Sequence, residues 1–112
     1  MTMLLWFTMN ASAIQSSPEA SPSAGDTRFL ILEAAEAVDA AWEIFHQAAI
    51  GGTLASPRIQ FQIEEQLHEA RILLLNSKKA EKYHDYETVK LITQQLSTLT
   101  HQIVTASQER KQ

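Results

Sequence analysis

Apolar residues from residue 27 onward recur at alternating intervals of three and four, a spacing that places their side chains on one face of an α-helix. The pattern predicts three helices, over about residues 27–50, 57–76 and 78–108. The predicted core positions are Ile31, Ala35, Val38, Trp42, Phe45 and Ala49 in the first helix, Ile59, Ile63, Leu67, Ala70 and Leu74 with Leu73 beside them in the second, and Val89, Ile92, Leu96, Leu99, Ile103 and Ala106 in the third.

Local signals set the ends of the first helix and the start of the second. Asp26 or Thr27 can cap the first helix, because their side-chain oxygens can accept a bond from an unpaired backbone N–H of the first turn. Gly51-Gly52 ends it, since glycine readily adopts the left-handed conformation of a C-terminal cap. Ser56-Pro57 then supplies a cap followed by proline in the first turn, where its missing N–H costs nothing.

The boundary between the second and third helices is predicted at Asn76-Ser77. Asparagine tolerates left-handed backbone geometry and serine is a good helix cap. In an alternative interpretation the third helix begins at Asp85 and residues 78–84 form a loop. Both versions have short linkers, so consecutive helices should be antiparallel neighbours.

These elements predict an all-α protein, a small antiparallel three-helix bundle over residues 26–112 behind a disordered N-terminal leader, residues 1–25. The segment from Gln15 to Gly25 is rich in Ser and Pro and offers little apolar surface to offset the entropy of ordering. The apolar run from Met3 to Phe7 is too short for a secretory signal and no basic residue precedes it. A cytoplasmic location is therefore expected.

Composition narrows the classes of function. Nine Lys and Arg against thirteen Asp and Glu give a net charge of -4. The chain thus lacks the excess of basic residues that is typical of nucleic-acid-binding proteins. The absence of cysteine excludes disulfides, thiol catalysis and cysteine-based metal sites. Four acids between Glu33 and Glu43 make the first helix unsuitable as a membrane span. These acids form either a solvated face or a patch for a basic partner.

Three Glu-x-x-His pairs are the strongest hint of chemistry: Glu43/His46, Glu65/His68 and Glu81/His84. Di-iron carboxylate bundles use two such pairs, with all ligands projecting into the bundle. The apolar spacing turns these pairs outward, so neither a metal nor another cofactor is expected. No nucleophile with a base and no phosphate-binding loop is recognisable, and the chain is not predicted to be an enzyme. A carboxylate/histidine metal-binding bundle is the alternative function.

The first helix carries apolar residues beyond its predicted core positions: Phe29, Leu30, Leu32, Ile44 and Ile50. This wide face is either buried between the other helices or available to a partner. About 85 foldable residues bury only a small core, which a second copy or another protein can complete. We predict a non-catalytic protein–protein interaction or regulatory protein, homo-oligomeric or part of a larger complex, with contact residues Leu30, Val38, Trp42, Phe45, Tyr83 and Tyr86.

The stretch from Ile63 to Ile103 loosely resembles the UVR-type helical hairpin of excision-repair and Clp-regulatory proteins. The resemblance is carried by Asp85-Tyr86-Glu87, followed by Val89, Ile92 and Leu96 at that module's apolar spacing. It implies a hairpin that serves protein–protein contact. Thr93 stands where the module favours Arg and the first helix lies outside the match, so the resemblance does not assign the chain to that family.

Overall fold

Three antiparallel helices make up the fold of residues 23–109, the part of the chain that the computed structural model describes. They are α1 (Ala24–Ile50), α2 (Pro57–Lys82) and α3 (Tyr86–Gln108), and each contacts both others. Near the start of α1, Arg28 Nε lies 3.9 Å from Glu81 Oε2 near the end of α2. The predicted three-helix bundle is confirmed. Residues 1–22 of the predicted leader lie outside the described residues.

A capping box begins α1 earlier than the sequence interpretation placed it. The backbone N–H of Asp26 donates to Ser23 Oγ at 3.2 Å, and the backbone N–H of Ser23 donates to Asp26 Oδ2 at 3.5 Å. Ser23 is therefore the cap, and the prediction that Asp26 or Thr27 holds this position is wrong. Asp26 lies in the first turn, where a carboxylate also complements the positive end of the helix dipole.

The same C-terminal motif ends both α1 and α2. After α1, the N–H of Thr53 donates to Ala48 O at 3.0 Å and the N–H of Gly52 donates to Ala49 O at 3.2 Å. These two bonds define a Schellman motif, whose central residue must have left-handed geometry. Gly52 meets that requirement with φ of 69°, which confirms the predicted stop at the glycine pair.

After α2 the left-handed position is occupied by His84, with φ of 62°. The N–H of His84 donates to Glu81 O and that of Asp85 to Ala80 O, both at 2.9 Å. Asp85 then caps α3, since its carboxylate accepts bonds from the backbone N–H and the hydroxyl of Thr88. The three-residue turn therefore ends one helix and starts the next.

The predicted boundary at Asn76-Ser77 is wrong, because α2 continues through it. Ser77 is fully buried and its hydroxyl donates to Leu74 O at 2.7 Å, so it pairs within the helix and caps nothing. The alternative interpretation placed the start of α3 at Asp85, which is the cap that directly precedes the first helical residue, Tyr86. It erred in treating residues 78–82 as a loop, because they form the last turn and a half of α2.

The core is built largely from the predicted positions of α2 and α3, with a shift in α1. Ile31, Val38 and Phe45 are buried as predicted, but Ala34 and Ala41 take the places predicted for Ala35 and Trp42. Ala41 is completely buried, and its small side chain lets neighbouring helices approach closely. The other buried apolar residues are Leu54 in the first linker, Ile63, Leu67 and Ala70 in α2, and Val89, Leu96, Leu99 and Ile103 in α3.

Every buried polar side chain among residues 23–109 is a hydroxyl: Thr27, Ser77, Thr93, Thr100 and Ser107. Each hydroxyl donates to a carbonyl of its own helix, three or four residues earlier, at 2.7 to 3.0 Å. A buried polar group costs little when it is paired in this way. The described core is thus apolar, and its few hydroxyl groups are hydrogen-bonded within their own helices.

Candidate functional site

An aromatic cluster centred on Trp42 bridges the outer groove between α1 and α2. The guanidinium carbon of Arg71 in α2 lies 5.1 Å from the centroid of the Trp42 ring, within cation–π distance. One turn further along α1, the His46 ring stacks on Trp42 with centroids 5.6 Å apart and an interplanar angle of 23°. Trp42 also contacts the buried Phe45 ring at 6.0 Å and is 38% exposed itself. The Trp42 ring is therefore contacted by side chains of both helices, His46 of α1 and Arg71 of α2.

A second surface runs along α2 on the side opposite the core. Its residues alternate at intervals of four and three, so they form one stripe along the helix. All six are exposed, including the three large apolar side chains among them. We call this set the outer stripe of α2: Phe61, Glu65, His68, Ile72, Leu75 and Lys79.

The charges of α2 change sign along its length. Arg58 is exposed at the start of the helix and is followed by exposed Glu64, Glu65 and Glu69, whereas the exposed charges of the second half are Arg71, Lys78, Lys79 and Lys82. A shallow depression of about 410 Å³ lies against the acidic half and is lined in part by His68 and Ile72. The outer face of α2 thus combines apolar side chains with opposite charges at its two ends.

The outer surface of α1 is also partly apolar, with Phe29, Leu32 and Ile50 all more than half exposed. The acids Glu33, Glu36, Asp39 and Glu43 are exposed as well. Leu30 is half-buried and lines a groove between α1 and α3 with Ala34, Ala37 and Thr93. The apolar side chains of α1 outside the core therefore lie either in that groove or on the solvent-facing side.

The six predicted contact residues do not form one surface. Val38 and Phe45 are only 3% exposed and belong to the core, so a partner could not reach them in the intact bundle. Trp42 lies in the α1–α2 groove. Tyr83 is exposed in the turn after α2, and the half-buried Tyr86 makes an edge contact with His84 at 5.9 Å. The role of these residues in partner binding stays a prediction.

The Glu-x-x-His pairs lie on the outside of the bundle. Five of their six residues are exposed and Glu81, paired with Arg28, is half-buried. Across residues 23–109 no three His, Cys, Asp or Glu side chains are grouped closely enough to hold a metal ion. Each pair therefore offers at most two ligands.

Comparison with known proteins gives no relative: no protein-family model, curated protein or solved structure matches this chain. The resemblance of residues 63–103 to UVR-type hairpins accordingly has no support beyond the residues that suggested it. Within the described part of the chain, none of the helices combines the length and apolar character needed to cross a bilayer.

Sequence reasoning missed the outer stripe of α2, although its spacing is visible in the sequence. Phe61, Ile72 and Leu75 are separated by Glu65 and His68, and these polar residues break the apolar run. The core positions of the same helix form a longer uninterrupted run and mask the second one. A search for a second alternation of threes and fours on each helix would have found it.

Proposed function

We propose that this chain is a non-catalytic helical protein that acts by binding other protein chains through the outer faces of α1 and α2. The observation that carries this proposal is that α2 has apolar side chains on two opposite faces. Ile63, Leu67 and Ala70 fill the core, while Phe61, Ile72 and Leu75 are 60%, 47% and 68% exposed on the other side. A helix that serves only its own bundle needs one apolar face.

The Trp42 cluster supports the same proposal. Trp and Arg are enriched among the residues that contribute most to binding at protein interfaces. Arg71 is already held over the Trp42 ring, so less side-chain freedom is lost when a partner covers both groups. Two adjoining features of one surface therefore suit contact with another protein.

The composition of the core is compatible with this role. Its buried polar side chains are hydroxyls bonded to their own helix, which leaves no inward-facing acid, base or metal ligand among the described residues. The groups able to recognise another molecule are consequently on the surface.

The proposal can be tested by affinity capture with matched variants of the full chain. Phe61→Glu and Ile72→Glu each place a charge on the outer stripe without touching the core. The control is Leu91→Glu, because Leu91 is 62% exposed on α3 and lies outside the stripe. Circular dichroism verifies that all three variants remain helical.

Bound proteins, including an untagged copy of the chain itself, should be retained by the wild type and by the Leu91 variant and lost from both stripe variants. The proposal is overturned if capture is the same for all four proteins. It is also overturned if only the Leu91 variant loses binding.

A further inference from the structure

We propose that two copies of this chain associate through an antiparallel pairing of their α2 helices, with Phe61 of each copy opposite Ile72 of the other. This inference rests on the proposed function and names its partner as a second copy. It is carried by the outer stripe of α2, whose spacing is that of a coiled-coil seam, and by the order of charges beside the stripe.

The stripe has the geometry needed for helix pairing. In a two-helix seam, side chains at alternating intervals of four and three interlock with those of the facing helix. The residues from Phe61 to Lys79 supply this alternation over more than two heptads. They lie on the face of α2 that is turned away from α1 and α3, so a second helix can approach without disturbing the core.

Antiparallel pairing brings unlike groups together in one register. With Phe61 opposite Ile72 of the second copy, Glu65 lies opposite His68 of the second copy. A two-fold axis repeats each of these layers, because such an interface uses the same patch on both subunits. The result is two apolar layers around a polar centre in which the His68 ring N–H can donate to the Glu65 carboxylate. Next to the apolar layers, Leu75 of each copy lies opposite the exposed Arg58 of the other.

Charges that flank the seam select this register. Glu64 and Arg71 lie beside it on the same edge, and in this arrangement Glu64 of each copy faces Arg71 of the other. If the two helices slide by seven residues relative to each other, Arg71 of one copy lies opposite Arg71 of the other, and Glu69 opposite Glu69. If they slide by another seven residues, Arg71 of one copy lies opposite Lys78 of the other. Like charges at such flanking positions disfavour a pairing, so the two shifted arrangements are penalised.

Parallel pairing is disfavoured for the same reason. It would place Glu65 beside Glu65, Lys79 beside Lys79 and every other residue beside its own copy. Such layers bring like charges together in the middle of the seam. Only the antiparallel arrangement places Glu64 of each copy opposite Arg71 of the other.

The position of Arg71 against Trp42 favours the contact further. The guanidinium group is 5.1 Å from the ring centroid, which restricts the arginine rotamers before the second copy binds. Arginine can stack on an aromatic face and still donate hydrogen bonds in its own plane. Arg71 can therefore keep its Trp42 contact while it binds Glu64 of the second copy.

Charge exchange between chains tests the register. Sedimentation equilibrium of the full chain should show a concentration-dependent dimer. Glu64→Arg alone and Arg71→Glu alone each create like-charge pairs, and each should raise the dissociation constant about tenfold or more. An equimolar mixture of the two variants restores opposite charges at both positions, and its association should return to within about threefold of the wild type.

The mixture also controls for damage to the fold, because a misfolded variant could not be rescued by its counterpart. Leu91→Glu is the neutral control and should leave association unchanged. If the mixture is no stronger than either variant alone, the assigned register is wrong and the proposal is overturned.

Cysteine crosslinking tests the orientation, and the natural chain has no cysteine to interfere. A mixture of Phe61→Cys and Ile72→Cys chains should form a disulfide-linked heterodimer, because opposite positions come within disulfide range. Neither variant should crosslink alone, since residue 61 of one copy lies far from residue 61 of the other. Crosslinking of each variant with itself would indicate a parallel pair and overturn the proposal.

A full chain that remains monomeric at all concentrations and forms no crosslink also overturns it. If such a chain dimerised only after removal of residues 1–22, the outer stripe would instead be assigned as the binding site for the chain's own apolar segment Met3–Phe7. The proposed function fails separately: a monomer that still captures other proteins through Phe61 and Ile72 loses only the second copy as partner.

Discussion

Arg71 of α2 and Trp42 of α1 are joined by a cation–π contact, with the guanidinium carbon 5.1 Å from the ring centroid. The contact lies across the outer groove between the two helices. It links a side chain that flanks the outer stripe of α2 to the aromatic cluster of α1. The proposed binding surface and the packing of the groove therefore share one residue.

The energy of this contact can be measured with a double-mutant cycle that uses Trp42→Leu and Arg71→Met. Because the groove is partly exposed, the two changes should show a coupling of about 0.5–1 kcal/mol in the free energy of unfolding. Urea denaturation provides the measurement. A parallel cycle of Trp42→Leu with Arg58→Met, an exposed arginine near the start of α2, should show none. Equal coupling in both cycles would contradict a specific contact.

Two residues at equivalent places in the Schellman motifs predict opposite changes in stability. His84 has a left-handed backbone that costs a non-glycine residue about 1 kcal/mol, so His84→Gly should raise the free energy of unfolding by up to that amount. Gly52→Ala should lower it by about 1 kcal/mol. An added Cβ at Gly52 meets no atom within 4 Å, so the loss would come from backbone conformation alone.

Thermal or urea unfolding of both variants checks this pair. A destabilised His84→Gly protein would mean that the imidazole makes a stabilising contact that outweighs its strained backbone. His84 contacts the Tyr86 ring edge-on at 5.9 Å, so His84→Asn is a useful third variant. It removes the ring contact and keeps a residue that tolerates left-handed geometry.

The two faces of α2 can be compared with one residue type. Ile63 is fully buried and Ile72 is 47% exposed. Ile63→Ala should cost about 2–5 kcal/mol, because it removes transfer free energy and leaves a cavity. Ile72→Ala should cost well under 1 kcal/mol in dilute protein. A large loss at Ile72 that persists at low protein concentration would show that this side chain supports the monomer fold.

Metal removal addresses the alternative function suggested by the Glu-x-x-His pairs. Because these pairs lie on the outer surface and no group of three ligands is found in residues 23–109, dialysis against EDTA should leave the midpoint of thermal unfolding unchanged. Elemental analysis of untagged protein gives an independent reading. Stoichiometric iron, manganese or zinc that is lost in His68→Ala would revive the metal-binding hypothesis.

The sequence predicted the number and type of helices, but not which of two neighbouring alanines faces the core. In α1 the choice between Ala34 and Ala35, and between Ala41 and the adjacent Trp42, depends on how closely the helices approach. A fully buried alanine allows a short interaxial distance that a tryptophan at the same position would prevent. Helix packing decides this, and the apolar spacing alone is compatible with both.

The end of α2 was missed because serine plays two roles in helices. Its hydroxyl can cap a new helix or bond back to a carbonyl of the helix it is already in. Ser77 does the second, and the apolar spacing continues past it. The stop at His84 requires a left-handed non-glycine residue, which is uncommon enough that composition favours the wrong site. The Asp85–Thr88 capping pair was the better signal.

The buried hydroxyls of α3 recur every seven residues, at Thr93, Thr100 and Ser107. Since each is satisfied inside α3, these hydroxyls create no polar pairing that distinguishes one axial position of the helix from another. Val89, Leu96 and Ile103 repeat with the same period, so sliding α3 by one heptad would present nearly the same surface to α1 and α2. The alignment of the bundle is therefore held by its connections, and above all by the three residues between Lys82 and Tyr86.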